Sequence, residues 1–309
     1  MRLTVQVAEK AEMGAGKSAG KSQKKRLKKI RGLAHNRPQV LPDLTERLFD
    51  LSGRVCLVTG AARGLGRAAA VGLAAHGADV ALVDVNRDGS AAVAGEIASL
   101  GRRGVAYGCD VAEEAAVRAT VEQIHRDFGR VDVLVNIAGI TARIPSESIA
   151  PETVRRLTEV NYYGTFWMCQ EVGKIMLAQG AGNIINMSAL GGGLVGMGRG
   201  NAAYCSTKGA IAALTRDLAC EWAARGVRVN AVAPGWFYTE MNASSILANH
   251  RFVEQVFTKL PMKRIGKPEE LVGPIVFLAS EASSMITGLV LPVDGGAGAT
   301  CPIEWKTEP

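Results

Sequence analysis

The chain has 309 residues, of which 48% are hydrophobic and 21% are charged, a composition typical of a globular protein with a large core. Its formal charge of +7 is uneven: residues 1–37 hold eleven Lys/Arg and two acids, and the remaining 25 basic and 27 acidic residues leave a net charge of −2. The body of the chain therefore gives no electrostatic indication of nucleic-acid binding, and no apolar run is long enough to span a membrane.

Residues 1–45 are predicted to form a disordered basic arm, because their hydrophobicity is low and their charge is one-sided, most densely in Lys24–Arg31. The arm lacks the apolar core of a secretory signal. It suits a solvated tail better than a contact with nucleic acid or an anionic membrane, and any nucleic-acid binding is expected only through it. Residues 46–309 are predicted to form one folded domain.

From Leu51 onward, short apolar runs alternate with helix-forming segments. Strands are predicted at 54–59, 79–83, 104–109, 131–135, 183–187, 227–232 and 289–293. Helices are predicted at 67–76, 88–101, 113–128, 152–179, in the segment after residue 201, and more loosely within 240–279. Crossovers between parallel strands are right-handed and place the helices outside the sheet. The sequence therefore predicts an α/β fold, a single doubly wound (Rossmann-type) parallel sheet with helices on both faces.

The cysteines and histidines are dispersed along the chain, without a C-x-x-C pair or metal-ligand spacing. This pattern favours reduced thiols in a reducing compartment, so we expect a cytoplasmic protein that binds no metal. Three of the cysteines are expected in the core, namely Cys56, Cys109 and Cys169.

The first predicted strand ends in a glycine-rich turn, Thr59–Gly66, with the sequence T-G-A-A-R-G-L-G. Glycines let a backbone approach a pyrophosphate, and the N-terminus of the following helix offers N–H groups to the anion. A glycine loop alone is weak evidence, since it also suits a tight turn, but its place between a strand and a helix favours a dinucleotide site. The candidate cofactor contacts in this turn are Gly60, Arg63, Gly64, Leu65 and Gly66.

Asp84 ends the second predicted strand, eighteen residues after Gly66. A carboxylate at this point can accept hydrogen bonds from an adenosine ribose and repels a 2′-phosphate, so NAD is expected, with NADP less favoured. Two alternatives remain open. Arg63 could stabilise a phosphate, and Asp84 could instead cap the helix that follows it.

Tyr204 and Lys208 lie four residues apart in a helix-forming segment, which places their side chains on one face. An ammonium beside a phenol favours the phenolate and lowers its pKa from the ordinary value near ~10. A nearby serine hydroxyl, Ser188, could hold the oxygen that exchanges the proton. Taken alone, the spacing favours a Tyr–Lys pair on a solvated helix face, and the other motifs of the chain favour the catalytic interpretation.

Together, these motifs resemble the classical short-chain dehydrogenase/reductase family over residues 50 to about 297, with the gluconate and 2-deoxygluconate dehydrogenases as the most similar branch. Cys109-Asp110-Val111 resembles the family's adenine-contacting step. Asn136-Ile137-Ala138-Gly139 resembles its N-N-A-G element, with isoleucine in place of the second asparagine. Pro234-Gly235, followed by Thr239, resembles the segment that closes over the nicotinamide.

The resemblance also implies a catalytic tetrad. Tyr204 would be the acid in carbonyl reduction and the base in alcohol oxidation, while Lys208 would also hold the nicotinamide ribose. Ser188 would position the reacting oxygen, and Asn161 would keep a water in a proton relay. The further cofactor contacts implied are Asp84, Asp110, Val111, Asn136, Ala138, Gly139, Tyr204, Lys208, Pro234, Gly235 and Thr239.

The segment between Ser188 and Tyr204 is a few residues longer than is usual in the family, and six of its fifteen residues are glycine. We expect a mobile loop that reshapes one wall of the substrate pocket. Arg143 is a candidate for binding a substrate carboxylate, although it could also be a surface arginine. The candidate substrate-binding residues are Arg143, Ser188, Leu190, Tyr204 and Trp236.

The sequence thus predicts an NAD-dependent oxidoreductase acting on a secondary alcohol or ketone, with a sugar acid or polyol as the expected substrate. One alternative is an NADPH-dependent 3-oxoacyl thioester reductase, which shares the same skeleton. An alternative of another class is a nucleic-acid-binding or scaffold protein that acts through the basic arm. By resemblance the enzyme is expected to be a homotetramer, with the helices around 152–179 and 202–225 at an interface.

Overall fold

The computed structural model describes residues 47–198, 200–240, 254, 258 and 260–299, so the predicted arm at 1–45 lies outside the described residues. Seven parallel strands form one sheet in the order β3-β2-β1-β4-β5-β6-β7. This confirms the predicted doubly wound architecture. The strands are β1 (Val55–Thr59), β2 (Asp79–Asp84), β3 (Gly104–Gly108), β4 (Val133–Asn136), β5 (Gly182–Met187), β6 (Val227–Pro234) and β7 (Val290–Val293).

Helices connect the strands and cover both faces of the sheet. The α-helices described are α1 (Gly64–Ala75), α2 (Arg87–Ser99), α3 (Glu114–Phe128), α4 (Pro151–Thr158), α5 (Gly164–Gln179), α6 (Ala202–Trp222) and α7 (Val272–Ala279). In the loosely helical segment predicted at 240–279, residues 241–253, 255–257 and 259 lie outside the described residues, and the described part contains a short 3-10 helix, Pro268–Leu271, directly before α7. Among the described residues, no helix is both long and apolar enough to cross a membrane.

Two hydrophobic cores lie on opposite faces of the sheet. One buries side chains of α1, α2 and α7, such as Leu73, Ile97 and Leu278, against the strands. The other buries α3, α5 and α6 through residues such as Ile124 and Met176. The strands read as continuous apolar runs because both of their faces are covered. The three cysteines expected in the core are buried.

The predicted long helix at 152–179 is interrupted. Between α4 and α5 the backbone forms a π-helix, Glu159–Tyr163, that carries the buried side chain of Asn161. The Thr165 hydroxyl donates a hydrogen bond of 2.7 Å to the backbone carbonyl of Asn161. No residue type in this segment marks a single π-helical turn, so the pattern alone predicted a regular helix.

Candidate active site

A cavity of about 1030 Å³ opens at the carboxyl ends of the strands, where the strand order reverses between β1 and β4. In open α/β sheets this is where ligands bind. Nearly all of the predicted site residues line it. They are Gly60, Arg63, Gly64, Leu65, Gly66, Asp84, Asp110, Val111, Ala138, Gly139, Arg143, Ser188, Leu190, Tyr204, Lys208, Pro234, Gly235, Trp236 and Thr239.

The glycine turn packs tightly against the loop that follows β4. Gly60 has a positive φ of 68°, and a side-chain carbon there would lie 2.8 Å from the backbone nitrogen of Ala138. The Thr59 hydroxyl accepts hydrogen bonds from the backbone N–H groups of Ile137 and Ala138, at 3.0 and 3.1 Å. The two loops that would flank a dinucleotide are therefore fixed to each other.

The N-terminus of α1 faces this cavity without a side-chain cap. Its N-cap residue, Arg63, has an extended backbone and no side-chain hydrogen bond to the helix. Gly64 and Leu65, in the first turn, line the cavity wall. Uncapped N–H groups and the positive end of the helix dipole suit an anion such as a pyrophosphate. The residues present thus fit the phosphate part of a dinucleotide.

Asp84 lies in the cavity wall at the end of β2. One carboxylate oxygen accepts from the Ala62 N–H of the glycine turn at 3.1 Å, and the other accepts from the Asn86 N–H at 2.9 Å. The helix that follows, α2, is capped by Asn86, whose side chain accepts from the Gly89 N–H. The alternative of Asp84 as the helix cap is therefore wrong.

Asp110 and Val111 follow β3 and line the same end of the cavity. An ion pair, which no motif in the sequence indicated, joins Asp110 to Arg156 of α4, with 2.8 Å between Oδ2 and Nη2. Partial burial opposes ionisation of Asp110, but its bonds to Arg156 and to the Ala112 N–H lower the pKa of this carboxyl. The carboxylate is therefore held in its charged form.

Lys208 is only 4% exposed, so the Tyr–Lys pair is not a pair on a solvated helix face. Its ammonium donates a hydrogen bond of 2.8 Å to the carbonyl of Met187 and lies 5.9 Å from the centre of the Tyr204 ring. Burial lowers the pKa of Lys208 to about 8. The Ser188 hydroxyl donates to the backbone carbonyl of Lys208 at 2.9 Å, which fixes it at the base of the cavity.

The electrostatics of Tyr204 differ from the sequence prediction. Burial, with a smaller contribution from Cys205, raises the pKa of the Tyr204 phenol to about 12 rather than lowering it. The Lys208 ammonium is bonded to the Met187 carbonyl, at a distance from the Tyr204 ring. The cation that lowers the pKa of Tyr204 here is Arg143, which also lines the cavity.

Asn161 lies behind the cavity rather than in its wall. Its side-chain oxygen accepts from the Ile140 N–H at 2.8 Å, and its side-chain nitrogen donates to the Ile140 carbonyl and to the Thr207 hydroxyl. Thr207 in turn donates to the backbone carbonyl of Tyr204 at 2.7 Å. The amide of Asn161 therefore fixes the loop after β4 to Thr207 in the second turn of α6, and its contact with the reacting groups is indirect.

Asn136 also does not lie where its predicted cofactor contact requires. Its side chain is buried within the sheet, where its nitrogen donates to Asn186 at 3.0 Å and to the Cys169 sulfur at 3.3 Å. It does not line the cavity. A direct cofactor contact by Asn136 is therefore not supported, because the side chain lies on the sheet face that α5 covers instead of beyond the strand ends.

The predicted nicotinamide segment extends from the end of β6. A side-chain carbon on Gly235 would lie 2.8 Å from Cα of Asp294, so only glycine fits beside the turn after β7. Thr239 lies close to Gly64, since a side-chain carbon on Gly64 would be 3.7 Å from Thr239. The segment thus extends from the end of β6 to the glycine turn, along the cavity wall.

The glycine-rich loop does form a wall of the cavity, as its sequence predicted. Gly192 packs so closely on α6 that a side-chain carbon there would lie 2.9 Å from the Lys208 carbonyl. The backbone N–H of Ile144 donates to the Gly200 carbonyl at 3.0 Å, which links the loop to the segment that carries Arg143. Val195, Met197 and Asn201 of this segment line the cavity, and wall residues outside it that the sequence did not single out include Ile140, Thr141, Cys205 and Glu240.

A family model described as enoyl-(acyl carrier protein) reductase matches residues 60–298 of this chain. The chain belongs to the short-chain dehydrogenase/reductase family. D-threitol dehydrogenase of Mycolicibacterium smegmatis is 39% identical over 250 residues, which cover 80% of this chain and 94% of that protein. Gluconate 5-dehydrogenase of Gluconobacter oxydans is 39% identical over 249 residues, covering 81% and 96%.

Solved structures agree with these matches. A gluconate 5-dehydrogenase from Burkholderia cenocepacia, in complex with NADP and tartrate, superposes with a TM-score of 0.80 at 36% identity, covering 83% of this chain and all of the other. As a short-chain dehydrogenase/reductase, this protein is an oxidoreductase that acts on CH–OH groups with a nicotinamide cofactor. Among the residues that the structure describes, no group of three or more His, Cys, Asp or Glu is placed to hold a metal ion.

Proposed function

We propose that this enzyme oxidises a secondary alcohol of a sugar acid or polyol with NAD, or reduces the corresponding ketone. The observation that carries the proposal is the placement of Tyr204, Ser188 and buried Lys208 in one wall of a cavity whose far end contains Asp84. The nicotinamide supplies or accepts the hydride. The protein must then orient the substrate oxygen and move one proton.

In this proposal each side chain has one task. Tyr204 takes the proton from the alcohol during oxidation and returns it during reduction. Ser188 holds the same oxygen by a hydrogen bond, Arg143 supplies positive charge toward the phenol, and Lys208 supplies positive charge to the ribose. Asn161 does not touch the substrate in this proposal. Its side chain instead holds Ile140 and Thr207 of α6 in position through hydrogen bonds.

The proposal of NAD rests on the charge of Asp84. Its carboxylate is fixed by two backbone N–H groups and lines the cavity, where a 2′-phosphate would meet it. Two observations favour NADP instead: the gluconate 5-dehydrogenase of Burkholderia cenocepacia was solved with NADP, and Arg63 lines the same cavity.

Replacing Asp84 with asparagine keeps an acceptor for the Ala62 N–H but removes the charge. We expect the ratio of kcat/KM for NAD to kcat/KM for NADP to fall by about tenfold. Removing ~1.4 kcal/mol of repulsion between the Asp84 carboxylate and the 2′-phosphate of NADP is enough for a change of this size. Steady-state kinetics with both dinucleotides measures the ratio. Asp88→Asn, an exposed acid in the first turn of α2, is the control and should not change it. A wild-type enzyme that prefers NADP would refute the proposal of NAD.

The proposed substrate class rests on Arg143 and on the relatives. Arg143 lies in the cavity wall, and its charge acts on Tyr204, so it is within electrostatic reach of the reacting oxygen. Its guanidinium suits a carboxylate. The relatives include a gluconate 5-dehydrogenase and a D-threitol dehydrogenase, whose named substrates are a sugar acid and a polyol.

We expect purified enzyme to turn over a sugar acid or a polyol with NAD, as followed by nicotinamide absorbance. If a sugar acid is the substrate, Arg143→Gln should raise its KM by about tenfold or more through loss of a charged hydrogen bond. The KM of a neutral polyol should change little. Arg225→Gln, on the surface after α6, is the matched control. Turnover of 3-oxoacyl thioesters alone, with NADPH, would instead support the thioester reductase.

A homotetramer with α5 and α6 at an interface is also proposed. In its support, ring contacts connect Tyr162 to Tyr163 and Phe166 to Trp167 along the π-helix and α5, and Tyr163 remains 44% exposed. Exposed aromatic side chains are enriched at protein interfaces. A monomer in sedimentation velocity would contradict this proposal of a tetramer.

We also propose that the protein is cytoplasmic. The five cysteines that the structure describes are free thiols, which supports a reducing compartment.

A further inference from the structure

The ion pair between Asp110 and Arg156 lies at the end of the cavity that contains Asp84. The two side chains come from elements far apart in sequence, the segment after β3 and the last turn of α4. Both face the cavity, and 33% and 47% of their side chains remain exposed. The pair is therefore accessible to a ligand.

The backbone that carries Asp110 is fixed on two sides. The Cys109 N–H donates to the Asp84 carbonyl at 3.0 Å, which ties the segment to β2. Val111 is buried against Gly164, where an added side-chain carbon would lie 2.6 Å from the valine. Only the side-chain torsions of Asp110 are then free to decide where its carboxylate points.

Two partners fix those torsions. One carboxylate oxygen accepts from the Ala112 N–H at 3.0 Å, and the other accepts from Arg156 at 2.8 Å. Each carboxylate oxygen has two acceptor sites, so one remains on each oxygen. A carboxylate accepts from an exocyclic amino group but repels a carbonyl oxygen. This end of the cavity is thus suited to a purine that carries an amino group.

We infer that Arg156 is a positioning residue for purine recognition, which holds the Asp110 carboxylate so that it selects adenine over hypoxanthine. The inference rests on the proposed function, in which the adenosine half of the dinucleotide lies at this end. Without Arg156, Asp110 keeps only its bond to the Ala112 N–H and can turn away from the base.

The test compares the binding of NAD with that of its hypoxanthine analogue, deamino-NAD, by isothermal titration calorimetry. NADP and its hypoxanthine analogue, deamino-NADP, are measured in parallel. A preference of the enzyme for NAD or for NADP then does not affect the comparison between adenine and hypoxanthine. Wild-type enzyme should bind the adenine form about tenfold more tightly. Arg156→Gln should weaken the adenine form about fivefold and leave the hypoxanthine form unchanged, since the pair is partly exposed.

Two further variants make the result specific. Asp110→Asn should abolish the discrimination, because its amide can donate to the hypoxanthine carbonyl. Arg155→Gln, on the neighbouring exposed position of α4, should behave as wild type. Equal weakening of both dinucleotides in Arg156→Gln would show a merely structural role and overturn the inference. So would a wild-type enzyme that binds both forms equally. Absence of any dinucleotide binding would refute the proposed function itself.

Discussion

Tyr204→Phe is expected to lower kcat for the reactive substrate by about 10²–10⁴-fold, the usual contribution of a positioned acid–base group. The phenol is the one proton-transfer group that the proposal places at the substrate oxygen. The ring itself should stay in place, because its backbone carbonyl is held by Thr207 and its helix by the buried Lys208. Cofactor affinity should therefore change by much less than kcat.

The measurement is kcat and KM from nicotinamide absorbance, with the dissociation constant of the cofactor from calorimetry. Tyr107→Phe is the matched control, since its hydroxyl bonds to Asp127 away from this cavity. It should retain wild-type kcat. A Tyr204→Phe enzyme with near wild-type turnover would show that another group carries the proton.

The second large effect is expected from Gly66→Ala in the glycine turn. A side-chain carbon on Gly66 would overlap the Gly60 carbonyl and lie 3.2 Å from Cα of Ala61, so backbone atoms must move. We expect a loss of about 3 kcal/mol in the free energy of unfolding, at the upper end of the range for overpacking. Dinucleotide binding should also weaken more than tenfold, because the turn and the N-terminus of α1 are displaced together.

Denaturant unfolding measures the first effect and calorimetry the second. Gly95→Ala is a matched control, because it lies inside α2 with no atom within 4 Å of the added carbon. It should be neutral or stabilise the protein by about 0.5–1 kcal/mol, as alanine is the better helix former. Wild-type stability and binding in Gly66→Ala would contradict the packing described for the turn.

The sheet and most of the cavity wall could be predicted from the sequence because their signals are local. A buried strand followed by glycines, or a strand ending in aspartate, specifies both an element and a place at the sheet edge. Gly60 directly follows β1, and Asp84 is the last residue of β2. Because β1 and β2 are neighbouring parallel strands, both residues lie at the same edge of the sheet and line the cavity.

Other features depend on long-range packing and were not predictable. Arg156 and Asp110 are 46 residues apart, and nothing in either segment indicates the other. The pKa of Tyr204 depends on how deeply the surrounding loops bury it and on the direction of the Lys208 ammonium. Sequence spacing places two side chains on one helix face but does not determine whether their polar atoms meet.

The π-helix at Glu159–Tyr163 makes this part of the chain sensitive to residue count. An α-helix turns by ~100° per residue, so removing one residue to restore regular α-helix would rotate Asn161 relative to α5 by that angle. Asn161 would then leave Ile140 and Thr207, although the composition of the segment would hardly change. We therefore expect a single-residue deletion here to displace Asn161, whereas a substitution of an exposed residue such as Tyr163 should leave it in place. Homologous enzymes that keep the Asn161 contacts should therefore keep the length between α4 and α5 even where their sequences diverge.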